Sequence, residues 1–467
     1  MIGKPPPYRQ GSYFPLVNNQ PSPTLLLILV IFLVLLELSR YKWILKWFTS
    51  RKKSDKTPKP HVMKPRSEKD CPHCRKTLAS GAPISSTCTH TPQPWNEKKS
   101  KRGRKKRICT QHQFCSKPDC DYYLIADENI HALVGYGVHG KYEDIQDLLC
   151  QACHKKFTVR RHTILYCLKT HSKTICLALN LLALGVDISA LEEVLAIRES
   201  TLRTWLVRSG VQGRKLHERF FIGLELVHVQ LDELWAKIKQ AKQAVWVWVA
   251  CEAKTKIIPV IQLGPRTQDM AYSVVHELKT KMKAGCVPVF SSDGLKHYFY
   301  ALTAHFGEWV CTDGELKAVW MILPDFFYAQ VVKQRKRFRL VVVVYRYIWG
   351  LPTEYRSRLK AEGLSGNINT SFVERINLTL RQGVSKLTRR TWGAAQFSSE
   401  LTEHIYWWLA YYHFSRYHES LRIKLEVPIA RKGKLRAKEY RKVTPAVAAG
   451  LTRKRWSVME LISYPLP

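Results

Sequence analysis

Residues 226–293 read as three strands, a helix and a fourth strand, an order that few folds accept. Leu226–Glu233 (LVHVQLDE) alternates apolar with polar residues, and Ala244–Cys251 (AVWVWVAC) is rich in β-branched and aromatic side chains. Lys256–Leu263 (KIIPVIQL) reads as a third strand. A helix is expected over Thr267–Lys283, then a short buried strand in VPVFSSDG that closes on Asp293. In this order the first and fourth strands become neighbours. Asp232 and Asp293, each at a strand end, then project side by side.

That order is the one of a ribonuclease H-like sheet. The expected fold class is α/β: a mixed five-stranded sheet with helices over residues 220–410, preceded by zinc-binding and helix-turn-helix modules. Two neighbouring carboxylates repel, and a divalent cation between them is the physical remedy. With a third carboxylate the site can hold two Mg or Mn ions roughly 3.5–4 Å apart, one at the attacking oxygen and one at the leaving oxygen. Glu374 is the third ligand expected. It opens FVERINLTLRQGVSKLTRR, whose helical spacing puts Asn377 and Arg381 on a similar face, with Arg389 and Arg390 extending the row as phosphate contacts. The long stretch between Asp293 and Glu374 holds a fifth strand and an inserted basic hairpin or loop around KQRKRFR (Lys333–Arg339), within residues 310–365. Its length leaves Glu308, Asp313 and Glu362 open as substitutes for Glu374.

The 467 residues are enough for two to four domains, and 75 Lys+Arg against 37 Asp+Glu leave a net charge of +38. Such a surface needs a polyanion, of which duplex DNA is the commonest. RNA and an anionic membrane stay open on charge alone. Eight of the thirteen cysteines lie between Cys71 and Cys153, several in short pairs, which points to metal ligation in a reducing compartment. Cys115 with Cys120, and Cys150 with Cys153, supply four thiolates from two turns, the arrangement of a zinc ribbon. Cys71 and Cys74 (CPHC) suit a second zinc, completed by Cys88 and His90 or by Cys109 and His112. The zinc-binding region is set at residues 71–165. Cys167, Cys176, Cys251, Cys286 and Cys311 are expected to be small buried apolar residues. The basic run Lys98–Arg107 is a solvated loop or a phosphate-contacting arm.

From about residue 170 to 210 the period becomes helical. One helix ends near Gly185, Ser189 with Glu192 forms a capping box for a second, and Ser200 caps a third that stops at Gly210. This reads as a helix-turn-helix over residues 166–212 with Thr201–Ser209 as recognition helix and Arg203, Thr204 and Arg208 as DNA contacts. A plain packing module is the alternative, because Leu202, Trp205 and Leu206 would be core either way. Upstream, residues 1–48 contain LLLILVIFLVLL (Leu25–Leu36), followed by Arg40, Lys42, Lys46 and Arg51. The run is shorter than the roughly 20 residues of a spanning helix, but residues 25–48 together make a candidate membrane anchor with its basic flank in the cytosol. An apolar helix used in self-association, or a mis-assigned start, stays open. No small-residue cleavage site stands out. Residues 49–70 are a flexible Lys/Pro/Ser linker and residues 411–467 a basic C-terminal tail.

LDELW around Asp232, SDGL around Asp293 and above all ERINLTLRQ from Glu374 resemble the DDE transposases of bacterial insertion sequences, close to the branch typified by the first-described insertion element. The likeness runs from Cys71 to the C-terminus, where YYHFSRYHESLR and TPAVAAGLTRKRW resemble the tail of related transposases and integrases. It implies a ribonuclease H-like core in which Asp232, Asp293 and Glu374 are the catalytic metal ligands. It also implies Mg-dependent 3′-end hydrolysis, strand transfer, and recognition of the element's terminal repeats and a target DNA. Pairing two ends implies a homo-oligomer, at least a dimer, acting in the cytoplasm at the nucleoid or from a membrane-anchored form. Tyr417 stands where related tails usually have Pro, and Glu252 where Asp is expected. The rival expectation is a domesticated, catalytically inactive DNA-binding regulator. That would lose a carboxylate, and all three candidates are present.

Overall fold

The structure is a computed structural model that describes Trp95 and residues 110–311, 317–337, 339–389, 393–430 and 437–467. The apolar run at 25–48, Cys71, Cys74, the basic run at 98–107 and Arg390 lie outside the described residues. No described helix is long and apolar enough to cross a membrane. The elements below all belong to one unit, Pro92–Pro467.

Three short strands come first: β1 (Leu133–His139), β2 (Ile145–Cys150) and β3 (Lys156–Thr158), in an antiparallel sheet. Their small core contains Leu133, Leu148 and Phe157 together with Cys115, Cys120 and Cys150. Three helices follow: α1 (Ser172–Ala183), α2 (Ile188–Leu195) and α3 (Glu199–Phe220). α1 ends before Gly185, which takes φ +91 and has the Gln382 carbonyl where a Cβ would stand.

The caps and the last boundary differ from those the sequence suggests. The Ser189 hydroxyl donates to Asp187 at 2.8 Å, Asp187 is the N-cap of α2, and α3 starts after Arg198 with no side-chain cap. Nor does α3 stop at Gly210. It continues to Phe220 because Gly210 and Gly213 sit at a crossing with α8 (Ser398–Ala410). A Cβ at Gly210 would lie 2.4 Å from the Glu403 carbonyl oxygen, and one at Gly213 would lie 2.3 Å from that of Tyr406. A glycine after an apolar stretch signals a stop, but here it marks the close approach of two backbones.

The central sheet is built from β4 (His228–Ala236), β5 (Val245–Glu252), β6 (Val260–Gly264), β7 (Val289–Ser292), β10 (Phe327–Lys336) and β11 (Arg339–Trp349), in the order β11-β10-β7-β4-β5-β6. β4, β5 and β6 meander antiparallel, and β7 returns parallel to β4 through helix α4 (Gln268–Lys281), which Thr267 caps. β10 lies parallel to β7, and β11 folds back antiparallel on β10. The sheet therefore has six strands rather than the expected five, because the basic hairpin adds its return strand to the edge. A separate hairpin of β8 (Gly307–Val310) and β9 (Val319–Ile322) follows helix α5 (Lys296–His305).

Both faces of the central strands are covered, which is why β5 and β7 are buried along most of their length. Trp248, Ala250, Phe290, Val274 of α4 and Tyr298 of α5 share one core. Leu234, Val247 and Val249 pack on the other side against Val373, Ile376 and Leu380 of α7 (Ser371–Gly383) and Leu401, Ile405 and Trp408 of α8. Burying each such side chain contributes about 1.5–3 kcal/mol. α6 (Pro352–Ala361) closes the β10 end through Tyr355 and Leu359. A basic ribbon, β12 (Arg422–Ile429) and β13 (Lys438–Lys442), and two short helices, α9 (Pro445–Ala448) and α10 (Val458–Ser463), complete the chain. Of the cysteines expected in cores, Cys251 is buried and Cys176 and Cys286 are half-buried, whereas Cys167 and Cys311 are exposed on connecting segments.

Candidate metal centres

The thiols of Cys115, Cys120, Cys150 and Cys153 converge, with all four sulfurs within 4.8 Å of one another. Cys115 Sγ lies 3.5 Å from Cys153 Sγ, and Cys120 Sγ lies 3.8 Å from Cys150 Sγ. Tetrahedral zinc with bonds of about 2.3 Å places its sulfurs roughly 3.8 Å apart, so the set fits that ion. Two tight turns hold it: Cys120 N donates to Lys117 O and Leu124 N to Cys115 O on one side, and His154 N to Cys150 O on the other. The hydrogen bond from Cys115 outweighs burial and brings Cys150 down to about 5, while burial pushes Cys120 up to about 12. The four sulfurs cannot all ionise alone. A divalent cation permits it.

The second centre starts from strand register. Leu231 of β4 pairs with Ser292 of β7, so Asp232 and Asp293 are the next residues along two neighbouring parallel strands. Their carboxylates come together as expected, and Glu233 joins them, with ligand oxygens within 4.8 Å. Asp232 accepts a hydrogen bond from Asn377 Nδ2 at 2.8 Å, and Asp293 accepts one from Leu295 N at 2.9 Å. Glu233 is almost wholly buried and accepts from Arg266 Nε at 2.7 Å and from the Tyr298 hydroxyl at 3.1 Å. Arg266 also comes within 4.0 Å of Asp293. Burial, then the charges of Glu233, Asp293 and Glu374, push Asp232 up to about 7. Burial and Asp293 likewise raise Glu233, against the pull of Arg266. Arg266 meets two of the three carboxylates, Glu233 and Asp293, and a Mg or Mn ion fits the excess of negative charge that remains.

Glu233 is the residue that sequence reasoning misses. Strand alternation assigns neighbouring side chains to opposite faces, and the Glu233 carboxylate is indeed held by Tyr298 of α5 while Asp232 meets α7. Asp293, one residue past the end of β7, is reached by both. The doubled acid in LDELW was the available signal.

Glu374 lies in the first turn of α7, near enough for its charge to raise Asp232, but outside the group of three. Its carboxylate accepts from the Thr370 hydroxyl at 2.6 Å and is ion-paired with Lys333 of β10. Of the substitutes for it, Glu308 is exposed on β8, Glu362 is paired with Lys254 at 2.9 Å, and Asp313 lies outside the described residues.

No model of a known protein family matches the chain, and no curated protein matches it either.

The residues expected to contact DNA are placed unequally. Arg203 donates to Glu199 at 2.8 Å and lies 3.7 Å from Glu400. Arg208 donates to the Tyr166 carbonyl at 2.7 Å, and the Thr204 hydroxyl donates to Ser200 O at 2.9 Å. Each of these side chains has a partner within the helical module or beside it. Arg381 at the end of α7 is half-buried and Arg389 is exposed, and burial together with the charge of Arg389 lowers the Arg381 pKa. Two neighbouring guanidinium groups of this kind suit a phosphate.

Proposed function

We propose that the protein is a DNA transposase of the DDE type, with a ribonuclease H-like core that cleaves and joins DNA strands at the ends of a mobile element. The observation that carries this reading is the Leu231–Ser292 register, with helix α7 bringing Asn377 to Asp232 and Glu374 close by. Asp232 and Asp293 would hold the metal ions, with Glu374 completing the set once it leaves Lys333. The ions, when bound, supply Lewis acidity to the attacking and leaving oxygens. Arg381 and Arg389, with Arg390 beyond the described residues, would hold the scissile strand by its phosphates. The four-cysteine module binds zinc in this reading. It and the helical module recognise the terminal repeats, and two chains pair the two ends at the nucleoid.

Short inverted repeats bounded by a target duplication should flank the gene, and a duplex made from such an end is the substrate to test. With Mg or Mn, cleavage should fall by orders of magnitude in Asp232→Asn and in Asp293→Asn while binding survives. Near-wild-type cleavage by both variants would reject the reading. The pairing of Glu374 with Lys333 favours one rival, a DNA-binding regulator without catalysis. That rival requires a wild-type chain that binds the duplex and leaves it intact.

A further inference from the structure

We infer that the β10–β11 hairpin is an arm that inserts into a groove of duplex DNA and seats the strand over the acidic centre. This deepens the proposed strand-transfer reading and rests on it for the class of ligand.

The sheet does not account for the hairpin's length. β7 pairs its four residues, Val289–Ser292, with Phe327–Gln330, and has nothing to offer the rest of β10. The β10–β11 ladder nevertheless runs on to Lys336 opposite Arg339, with a register shift between Gln334 and Arg335. Beyond Gln330 the ribbon is two-stranded, with no partner strand on its β7 side.

Its composition selects the partner. Between Lys333 and Arg346 there are six Lys or Arg residues and no Asp or Glu. Lys336, Arg337, Arg339 and Arg346 are exposed. Among the hairpin's described side chains only Lys333 is ion-paired, and its partner is Glu374. Leu340, Val341, Val342 and Tyr345 are 44–59% exposed beside these cations. A second copy of the chain would set cations against cations. A duplex offers phosphates to the cations and base and sugar faces to the apolar side chains. The major groove, about 12 Å wide, admits a two-stranded ribbon. Lys333 fixes the root of the ribbon at the acidic centre, so DNA gripped along the ribbon is delivered there.

The test uses the full chain and a random-sequence duplex of roughly 30 base pairs, titrated over a range of salt concentrations. The variant carries Lys336→Ala, Arg337→Ala and Arg339→Ala, at exposed positions outside the metal centres. Losing about three phosphate contacts should flatten the slope of log affinity against log salt by about 2–3 and weaken binding roughly tenfold or more near 0.1 M salt. An unchanged slope would overturn the inference. To remove any doubt from altered folding, a photo-crosslinking residue in place of Arg337, in an otherwise wild-type chain, should capture the duplex. Capture of a second copy instead would make the ribbon a self-association surface and also overturn it. Asp293→Asn should keep the wild-type slope, so failure of the chemistry and failure of the arm register in separate measurements.

Discussion

Asn377 gives its side-chain amide to the half-buried Asp232 carboxylate at 2.8 Å, which ties helix α7 to the centre of the sheet. The other side of that amide, Oδ1, is buried and has no hydrogen-bond partner among the described residues. Replacing Asn377 with Asp exchanges a donor for a repelling carboxylate at unchanged size. Metal-free Asn377→Asp should lose roughly 1–3 kcal/mol of stability in urea unfolding, and saturating Mg or Mn should recover most of it. Equal stability of both chains without metal would mean that the contact does not form.

Gly210 offers a case in which two effects of one substitution oppose each other. Alanine is favoured over glycine in a helix interior by about 1 kcal/mol. Against this, its Cβ would stand 2.4 Å from the Glu403 carbonyl oxygen, which is backbone and cannot rotate away. Overpacking of this kind costs about 1–3 kcal/mol, so Gly210→Ala should be net destabilising in a thermal melt, and Gly213→Ala likewise. A raised melting temperature in both would show that α3 and α8 cross less closely.

Glu143 links the four-cysteine module to α1. It accepts hydrogen bonds from Ser172 N at 2.8 Å and from Arg160 Nη2 at 2.6 Å. Burial alone would raise its pKa, but the bonds from Ser172 and Arg160 outweigh that and hold it at about 2. Because the folded value lies below the ordinary 4.5, the stabilisation is present above pH 4.5 and fades as pH falls toward 2. Glu143→Gln should therefore melt earlier than wild type at pH 7, and the gap should narrow below pH 4.5. A gap independent of pH would assign the loss to packing.

The parts of this fold that were legible share a cause: they are written in local periodicity. The strands around Asp232 and Val249, the helix capped by Thr267 and the return to Asp293 all follow from alternation, capping and chain order. The cysteine turns were legible because the close pairs Cys115/Cys120 and Cys150/Cys153 are themselves a local spacing, one that suits metal ligation. What was missed depends on distant backbone. Gly210 reads as a stop until α8 is known to lie against it, and the sixth strand exists only because β11 finds β10. Glu233 was hidden because alternation predicts a face and not how far a neighbouring loop reaches. The hydrogen bond from Arg208 to the Tyr166 carbonyl, 42 residues away, is likewise invisible to local pattern.

The four-cysteine module is small, with a core of a few side chains around the sulfurs. Such a core depends on its metal, so chelation should unfold β1–β3, read as loss of amide protection there while the central sheet keeps its own. Metal analysis should find at least one zinc per chain, lost in Cys120→Ser. A metal-free chain with β1–β3 still protected would refute the assignment. A further zinc abolished by Cys71→Ser would place the second site at the CPHC pair.

The two glutamates at the acidic centre differ in how they are held, and substitution separates them. Glu233 sits within the group that Asp232 and Asp293 form, but Arg266 and Tyr298 already hold it. Glu374 is more exposed than Glu233, with Lys333 and the Thr370 hydroxyl among its partners, and it is the one expected to turn toward an arriving ion. Glu233→Gln should weaken Mn binding to the resting protein, because a charge is lost from the existing group. It should also lower stability slightly, because the exposed Arg266 loses its closest counter-charge. Glu374→Gln should leave that resting affinity nearly intact and abolish cleavage of the element-end duplex, because the second ion then lacks its ligand. Lys333→Met, which releases Glu374, should tighten metal binding. The assay is calorimetric Mn titration beside gel-based cleavage, with Glu308→Gln, Asp313→Asn and Glu362→Gln run in parallel. Near-wild-type cleavage by Glu374→Gln would remove Glu374 from the catalytic set. If Glu233→Gln or one of the parallel variants then lost cleavage, that residue would be the third ligand.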